Sequence, residues 1–304
     1  MEKSRAMAVR RWEVENTVRF SILFPILIMA PIRADPETTL LSYQCSTSLP
    51  NNATLFQQVL NSALASVVKE VAQSGFATTD KETSTEATTD SVYLLVQCRK
   101  DKSSADCLNC LKVAENQTRN CSGVSATAYY DGCYLRYESY NFYDLYTDIT
   151  QKPICGDVDS ANPSSISATV GSLIGDLCTA TPRLKDYFAA QTRQGPSNTT
   201  IYGLAFCLRS LVQEDSCKSC LKIAQGNINK CFPHSEGRAI DAGCYLRYSS
   251  EPFFPSNATV DLARFLPTEK WASSRKSIII GVVGGRILKE QRNSVGQKIL
   301  NLRY

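Results

Sequence analysis

The sequence predicts an α+β fold of two tandem disulfide-stapled domains, each an antiparallel β-sheet packed with two α-helices. Three observations predict it: a cysteine pattern that occurs twice, apolar residues at helical spacing, and a hairpin signal between two short apolar runs. The chain of 304 residues is long enough for two domains, and its apolar fraction of 43% is sufficient for buried cores.

The cysteine spacing defines the repeat. Apart from Cys178, successive cysteines are separated by 53, 9, 3, 11 and 12 residues in the first copy and by 52, 10, 3, 11 and 13 in the second. Other residues keep the same register, with 107–114 aligned to 217–224 and 131–137 aligned to 242–248. We therefore expect one domain at 40–150 and a second at 151–262.

The spacing of apolar residues in the first copy predicts its helices and strands. Apolar residues at helical spacing predict a helix over 54–71, the polar stretch 78–90 predicts a loop, and the apolar run 92–96 predicts a strand. The next apolar residues place Cys107 and Cys110 on the buried face of a second helix.

A hairpin is predicted at the end of each copy. Asp131-Gly132 is a turn signal between the strands 126–130 and 133–137. Because side chains alternate along a strand, Cys133, Leu135 and Tyr137 should share one face, with Tyr134 and Arg136 on the other.

The two ends of the chain differ from this body. Residues 1–34, with a basic start and an apolar stretch before Ala34, predict a cleaved signal peptide, the alternative being an uncleaved anchor. Residues 263–304 form a basic tail, and the apolar segment 277–285 is too short to span a bilayer. We interpret it as a truncated transmembrane segment, or else as an interfacial one.

Charge and composition exclude several functions. Residues 35–268 carry 24 acidic and 19 basic side chains, so the body is acidic and has no electrostatic basis for binding nucleic acid. One histidine, His234, excludes histidine-based triads and multi-histidine metal sites. Kinase and hydrolase signatures do not occur in the sequence, so we predict a non-catalytic protein without a metal or cofactor.

The cysteines have three interpretations. A four-thiolate zinc site or a redox-active pair would also use Cys-x2-Cys spacing. The predicted signal peptide favours structural disulfides, because the secretory pathway is oxidising. Spacing alone leaves fifteen pairings open in each domain. Sequons that fit a secreted glycoprotein occur at Asn52, Asn116, Asn198 and Asn257.

The Cys-x8-Cys-x2-Cys pattern of Cys98, Cys107 and Cys110, together with the Cys-Tyr-Leu-Arg-Tyr strand, resembles the ginkbilobin-homologous (stress-antifungal) domain of land plants. Two such domains in tandem resemble the ectodomain of a cysteine-rich receptor-like kinase. Plasmodesmata-located and cysteine-rich repeat secretory proteins share this tandem. The resemblance covers about 40–260, and the second copy departs from it by one extra residue between Cys207 and Cys217.

The resemblance implies a disulfide pairing, which leaves Cys178 unpaired. The implied pairs are Cys45–Cys121, Cys98–Cys107 and Cys110–Cys133, then Cys155–Cys231, Cys207–Cys217 and Cys220–Cys244. We expect Cys178 to be a buried small apolar side chain, the alternative being a thiol that forms an intermolecular disulfide.

The resemblance also supplies a candidate sugar site, because the prototype of the family is a mannose-binding antifungal lectin. Its three contact positions correspond to Ser46, Thr127 and Glu138 in the first copy, and to Gly156, Arg238 and Ser249 in the second. Only Glu138 and Arg238 keep the contact residue, so they are weak ligand candidates and are expected to be solvated surface charges.

These observations predict an extracellular recognition module of the receptor-like kinase type, acting in stress or defence signalling and here without its kinase domain. A secreted mannose-type antifungal lectin is the alternative. The expected partners are an extracellular ligand or receptor, with a glycan and homo- or hetero-association at the cell surface as candidates. The expected location is the secretory pathway and then the apoplast, or the plasma membrane where the parent gene product has a complete membrane span.

Overall fold

The structure is a computed structural model, and it describes residues 36–84, 89–148, 152–157, 163–211 and 213–266. The predicted signal peptide and the predicted tail segment lie outside these residues. Each repeat is a five-stranded antiparallel sheet with two helices, which confirms the predicted fold class.

The two repeats have the same element order. The first consists of β1 (Leu40–Cys45), α1 (Ala53–Ser74), β2 (Phe76–Ser84), β3 (Thr89–Cys98), α2 (Ser104–Arg119), β4 (Ala126–Tyr130) and β5 (Cys133–Glu138). The second consists of β6 (Ile154–Cys155), α3 (Pro163–Ala180), β7 (Phe188–Gln194), β8 (Thr200–Cys207), α4 (Glu214–Ile228), β9 (Glu236–Asp241) and β10 (Cys244–Ser249). The strand orders are β1-β4-β5-β3-β2 and β6-β9-β10-β8-β7.

The loop predicted at 78–90 is wrong, because most of that stretch is strand β2. It pairs with β3 in continuous register, from Phe76 opposite Gln97 to Ser84 opposite Thr89. β2 lies at the edge of its sheet, where one side of the strand is unpaired and charged side chains are common. Its polar sequence therefore reflects its edge position.

The first helix begins and ends as its sequence requires. The Asn52 side chain caps α1 by accepting a hydrogen bond from the Leu55 amide at 3.0 Å. Leu60 and Leu64 are among the apolar residues that α1 buries against the sheet. Gly75 ends the helix with a φ of 71°, a left-handed conformation that other residues adopt only with strain.

Six disulfides connect helices, strands and loops within the two repeats, with three bonds in each. They join Cys45 to Cys121, Cys98 to Cys107, Cys110 to Cys133, Cys155 to Cys231, Cys207 to Cys217, and Cys220 to Cys244. These are the pairs that the family resemblance implies. In both repeats the first bond joins residues 76 positions apart, and so closes the longest loop.

The alternation predicted for the last strand of the first repeat is present. Cys133, Leu135 and Tyr137 face the helices, and Tyr134 faces away from them. Tyr134 is nevertheless buried, because the second faces of the two sheets pack against each other. This contact forms a third core that includes Leu95 from the first repeat and Phe206 from the second, and we call it the tandem interface.

Candidate functional site

The tandem interface joins the repeats through aromatic packing and direct hydrogen bonds. The rings of Tyr129 and Tyr245, one from each repeat, stack with their centroids 6.3 Å apart. The Gln97 side chain donates to the Cys207 carbonyl at 3.3 Å and accepts from the Arg209 amide at 2.8 Å. The second faces of the two sheets are therefore buried against each other within the chain.

Asp131 is the centre of an ion network at this interface. It lies on the predicted hairpin turn, and its side chain is only 2% exposed. Its Oδ2 accepts from Arg247 at 2.5 Å and from Arg99 at 3.3 Å, while its Oδ1 accepts from the Tyr245 hydroxyl at 2.5 Å. Arg238 lies 3.5 Å from Oδ1. One carboxylate of the first repeat thus contacts three side chains of the second.

The network is balanced in charge. Asp101 pairs with Arg99 at 2.7 Å, and Glu236 pairs with Arg247 at 2.7 Å and with Arg238 at 2.6 Å. Three guanidinium groups therefore face three carboxylates, which is the condition under which buried charges are tolerated.

Electrostatics keep Asp131 ionised despite its burial. Burial alone would raise the pKa of its carboxyl group, but the charges of Arg99 and Arg247 and the Tyr245 hydrogen bond outweigh that effect. The pKa of Asp131 consequently lies below its ordinary value. Burial also raises the pKa of the Tyr245 hydroxyl, so the proton of this hydrogen bond stays on the tyrosine.

Beside the network is a cavity of about 230 Å³ that both repeats line, and we call it the interdomain cleft. The first repeat supplies the end of α1 near Gly75 and the connection from β3 to α2. The second repeat supplies Phe188 and Phe206 from β7 and β8. The cleft can form only when the repeats are held in this arrangement.

Cationic side chains predominate in the lining of the cleft. Four of its lining residues are basic, Arg99, Lys100, Lys102 and Arg209, whereas Asp186 alone among them is acidic. Arg99 and Lys102 pair with Asp101 and are mostly buried, whereas Lys100 and Arg209 are exposed to solvent. The first turn of α2 also lies at the cleft and adds the positive end of a helix dipole.

The remaining carboxylate of the cleft is held by these cations. Asp186 forms an ion pair with Lys100. The hydrogen bond from Lys100 lowers the pKa of Asp186, and the nearby positive charges lower it further. The Arg209 guanidinium donates to the Ser74 carbonyl at 2.9 Å and lies 5.3 Å from the centre of the Phe76 ring. The cleft is thus suited chemically to a small molecule that carries negative charge.

The two weak ligand candidates are not solvated surface charges, so that expectation is wrong. Glu138 is 7% exposed and accepts from the Arg136 side chain at 2.8 Å. Arg238 belongs to the Asp131 network described above. Both side chains therefore have internal partners. Glu138 pairs within the first repeat and Arg238 pairs with Asp131 and Glu236, so these contacts do not join the two in one site.

The structure also places the other residues that the sequence singled out. His234 is half-buried, with its Nδ1 atom 2.6 Å from the Gly156 carbonyl oxygen. The asparagines of the four sequons are all exposed: Asn52, Asn116, Asn198 and Asn257. Within the ranges that the structure describes, no group of histidine, cysteine and acidic residues could hold a metal ion. Within the same ranges, no helix has the length and hydropathy of a membrane span.

Cys178 is buried in α3 and is not part of a disulfide. Burial raises the pKa of its thiol to about 12, so the reactive thiolate is scarce at neutral pH. We expect Ellman's reagent to detect no thiol in the native protein within minutes and one thiol per chain in 6 M guanidinium. Rapid reaction of the native protein, or a disulfide-linked dimer on a non-reducing gel, would contradict this assignment.

The Asp131 network leaves no local pattern in the sequence. Asp131 is predictable only as a turn residue, and the arginines that surround it lie at widely separated positions in the chain. A signal was nevertheless present, because the strand sequence Cys-Tyr-Leu-Arg-Tyr is apolar or aromatic at positions on both faces. A strand of this kind is expected to be buried on both sides.

Both repeats match a known protein family. Residues 44–140 and 154–251 each match the family described as salt stress response/antifungal. Cysteine-rich receptor-like protein kinase 2 of Arabidopsis thaliana is 29% identical over 235 residues, which cover 76% of this chain and 35% of that protein. The chain spans only 24–37% of the length of three receptor-like kinases that it matches.

A secreted relative and a solved structure match over more of their own length. Cysteine-rich repeat secretory protein 38 of Arabidopsis thaliana is 27% identical over 252 residues, which cover 78% of this chain and 98% of that protein. The crystal structure of the tandem DUF26 ectodomain of the Arabidopsis thaliana cysteine-rich receptor-like protein PDLP8 has a TM-score of 0.59 at 22% identity. It covers 71% of this chain and 100% of that one.

The relatives are secreted proteins or extracellular receptor ectodomains, and no kinase domain is among the regions matched. The tandem fold that the chain shares with them is non-catalytic. Because the family matches two segments that together make up more than half of the chain, the assignment does not depend on any single relative. The chain belongs to the salt stress response/antifungal family, of which it contains two copies in tandem.

Proposed function

We propose that this chain is an extracellular recognition module that binds a small anionic ligand in the interdomain cleft, in stress or defence signalling of the receptor-like kinase type. The observation that carries the proposal is the cleft itself, since both repeats build it and Lys100 and Arg209 line it. Two phenylalanine side chains add apolar surface, a combination typical of small-molecule sites.

Secretion fits the same proposal. The asparagines of the four sequons are exposed, so glycans could be carried there without disturbing either core. Ten of the twelve disulfide-bonded cysteines are buried, as expected for bonds that stabilise the fold and form in an oxidising compartment. We propose that the chain enters the secretory pathway through the segment 1–34.

The structure gives less support to the mannose-binding alternative. A hexose is held in water by several convergent hydrogen bonds, and a single contact seldom suffices. Glu138 and Arg238 already have internal partners, so neither side chain is available without breaking an ion pair.

Isothermal titration with two probes separates the hypotheses. Digalacturonate, a sugar that carries carboxylates, is expected to bind the protein, and mannose is not. The double substitution Lys100→Ala with Arg209→Ala should weaken digalacturonate binding at least tenfold, because it removes the two solvent-exposed cations of the cleft. Lys222→Ala, which changes an exposed lysine on α4, should leave it unchanged.

Failure of digalacturonate to bind would overturn the interdomain cleft as an anion site. Mannose binding that is lost on Arg238→Ala would instead support the lectin alternative.

A further inference from the structure

A second cavity, of about 330 Å³, lies between α1 and α2 of the first repeat, and we call it the helix groove. Eight of its ten lining residues are leucine or valine, and the other two are Lys112 and Glu115. The buried side chains of Val96 and Leu135 line it from the sheet. Val68 is 48% exposed, so the groove opens to solvent at this residue.

The two repeats differ at the end of their first helix. There α3 ends at Ala180, and the turn that follows buries Thr181 and Pro182. This turn packs against both α3 and α4. In the first repeat, α1 instead continues to Ser74 and leads directly into β2. The first repeat has no equivalent turn between its first helix and β2.

The two repeats also differ in how closely the first helix packs against the sheet. In the second repeat a Cβ atom at Gly203 would lie 2.8 Å from the side chains of Leu173 and Leu177, so α3 packs closely against β8. The corresponding position in the first repeat is Leu94, which pairs with Tyr137 as Gly203 pairs with Tyr248. A leucine at this position prevents an equally close approach of α1.

Two charged side chains, Lys112 and Glu115, lie at the edge of the groove. Glu115 pairs with Arg119 one turn further along α2. Lys112 is exposed and has no carboxylate partner among the residues that the structure describes. The edge of the groove thus offers one available cation next to an aliphatic interior.

We propose that the helix groove binds a free amphiphile, an aliphatic chain with an anionic head group, with the chain between α1 and α2 and the head at Lys112. A volume of about 330 Å³ holds about eleven units of roughly 30 Å³ each, the share of one water molecule. This corresponds to a chain of about ten carbons. It is much too small for a helix of a partner protein, whose diameter with side chains is about 10 Å.

Titration with decanoate below its micelle concentration tests this proposal. The wild-type protein is expected to bind one decanoate per chain, and Val68→Trp should weaken binding at least tenfold by filling the groove. Because Val68 is half-exposed, this substitution should leave the thermal midpoint nearly unchanged. Ile223→Trp, at an exposed apolar residue on α4 of the second repeat, is the matched control and should bind like the wild type.

The head group has its own test. Lys112→Gln should weaken decanoate binding about threefold but leave the binding of uncharged decanol unchanged, since an exposed charge contributes modestly. Decanoate that does not bind, or that binds equally to Val68→Trp, would overturn the proposal. Binding to phosphatidylcholine vesicles without binding to free decanoate would also overturn it. None of these outcomes depends on the interdomain cleft.

Discussion

Replacing Asp131 with alanine is expected to lower the free energy of unfolding by about 3–5 kcal/mol, because it leaves buried guanidinium groups without the carboxylate they share. Arg99 and Arg247 would keep only one carboxylate partner each, and the Tyr245 hydroxyl would lose its acceptor. Chemical denaturation of the intact chain, with its disulfides oxidised, measures the effect.

An exposed aspartate provides the control for this substitution. Asp144→Ala, in the segment that follows β5, should change the unfolding free energy by less than about 0.5 kcal/mol. If Asp131→Ala lowered the unfolding free energy no more than Asp144→Ala does, the network would not hold the repeats together.

The contribution of Asp131 to the stability of the fold should also depend on pH. Its pKa in the folded protein lies below the value of about 3.9 that an unfolded chain shows. Its ionised form therefore stabilises the fold above that pH, and the contribution is lost as the pH falls through the folded-state pKa. The difference in stability between wild type and Asp131→Ala should accordingly narrow below about pH 4.

Removing the long-range disulfide of the first repeat should lower the free energy of unfolding about as much as Asp131→Ala does. The double substitution Cys45→Ala with Cys121→Ala opens a loop between residues 76 positions apart. In the chain-entropy description this costs about 4.5 kcal/mol, against about 2.6 kcal/mol for Cys98–Cys107, whose partners are 9 positions apart. The denaturation midpoints of the two double variants measure the difference.

The internal duplication supplies a further control. Cys155–Cys231 also joins residues 76 positions apart, so its removal should cost about as much as removal of Cys45–Cys121. Equal losses for the long-range and short-range pairs would contradict the entropic account.

Local patterns predicted much of the fold because they report on neighbouring residues. The Asp131-Gly132 turn and the helical spacing of Phe56, Leu60 and Leu64 correspond to elements of the structure. The edge strands β1 and β2 were missed for a physical reason. Strand β2 is held to β3 by backbone pairing, and its polar side chains carry little period-two signal.

The site was harder to predict because it depends on contacts between distant parts of the chain. Gln97 contacts the end of β8, and Asp131 contacts Arg247, with more than 100 residues between the partners in each case. Neither contact leaves a local pattern. Glu138 and Arg238 were found only through the resemblance to a family, and the interdomain cleft needed the relative position of the two repeats.

The two repeats should unfold as one structural unit, because the tandem interface and the Asp131 network join them. Equilibrium unfolding in guanidinium, followed both by far-ultraviolet circular dichroism and by tyrosine fluorescence, measures whether they do. We predict a single transition that coincides for both probes and moves as a whole in Asp131→Ala. Two separate transitions, with only one of them shifted by Asp131→Ala, would contradict the claim.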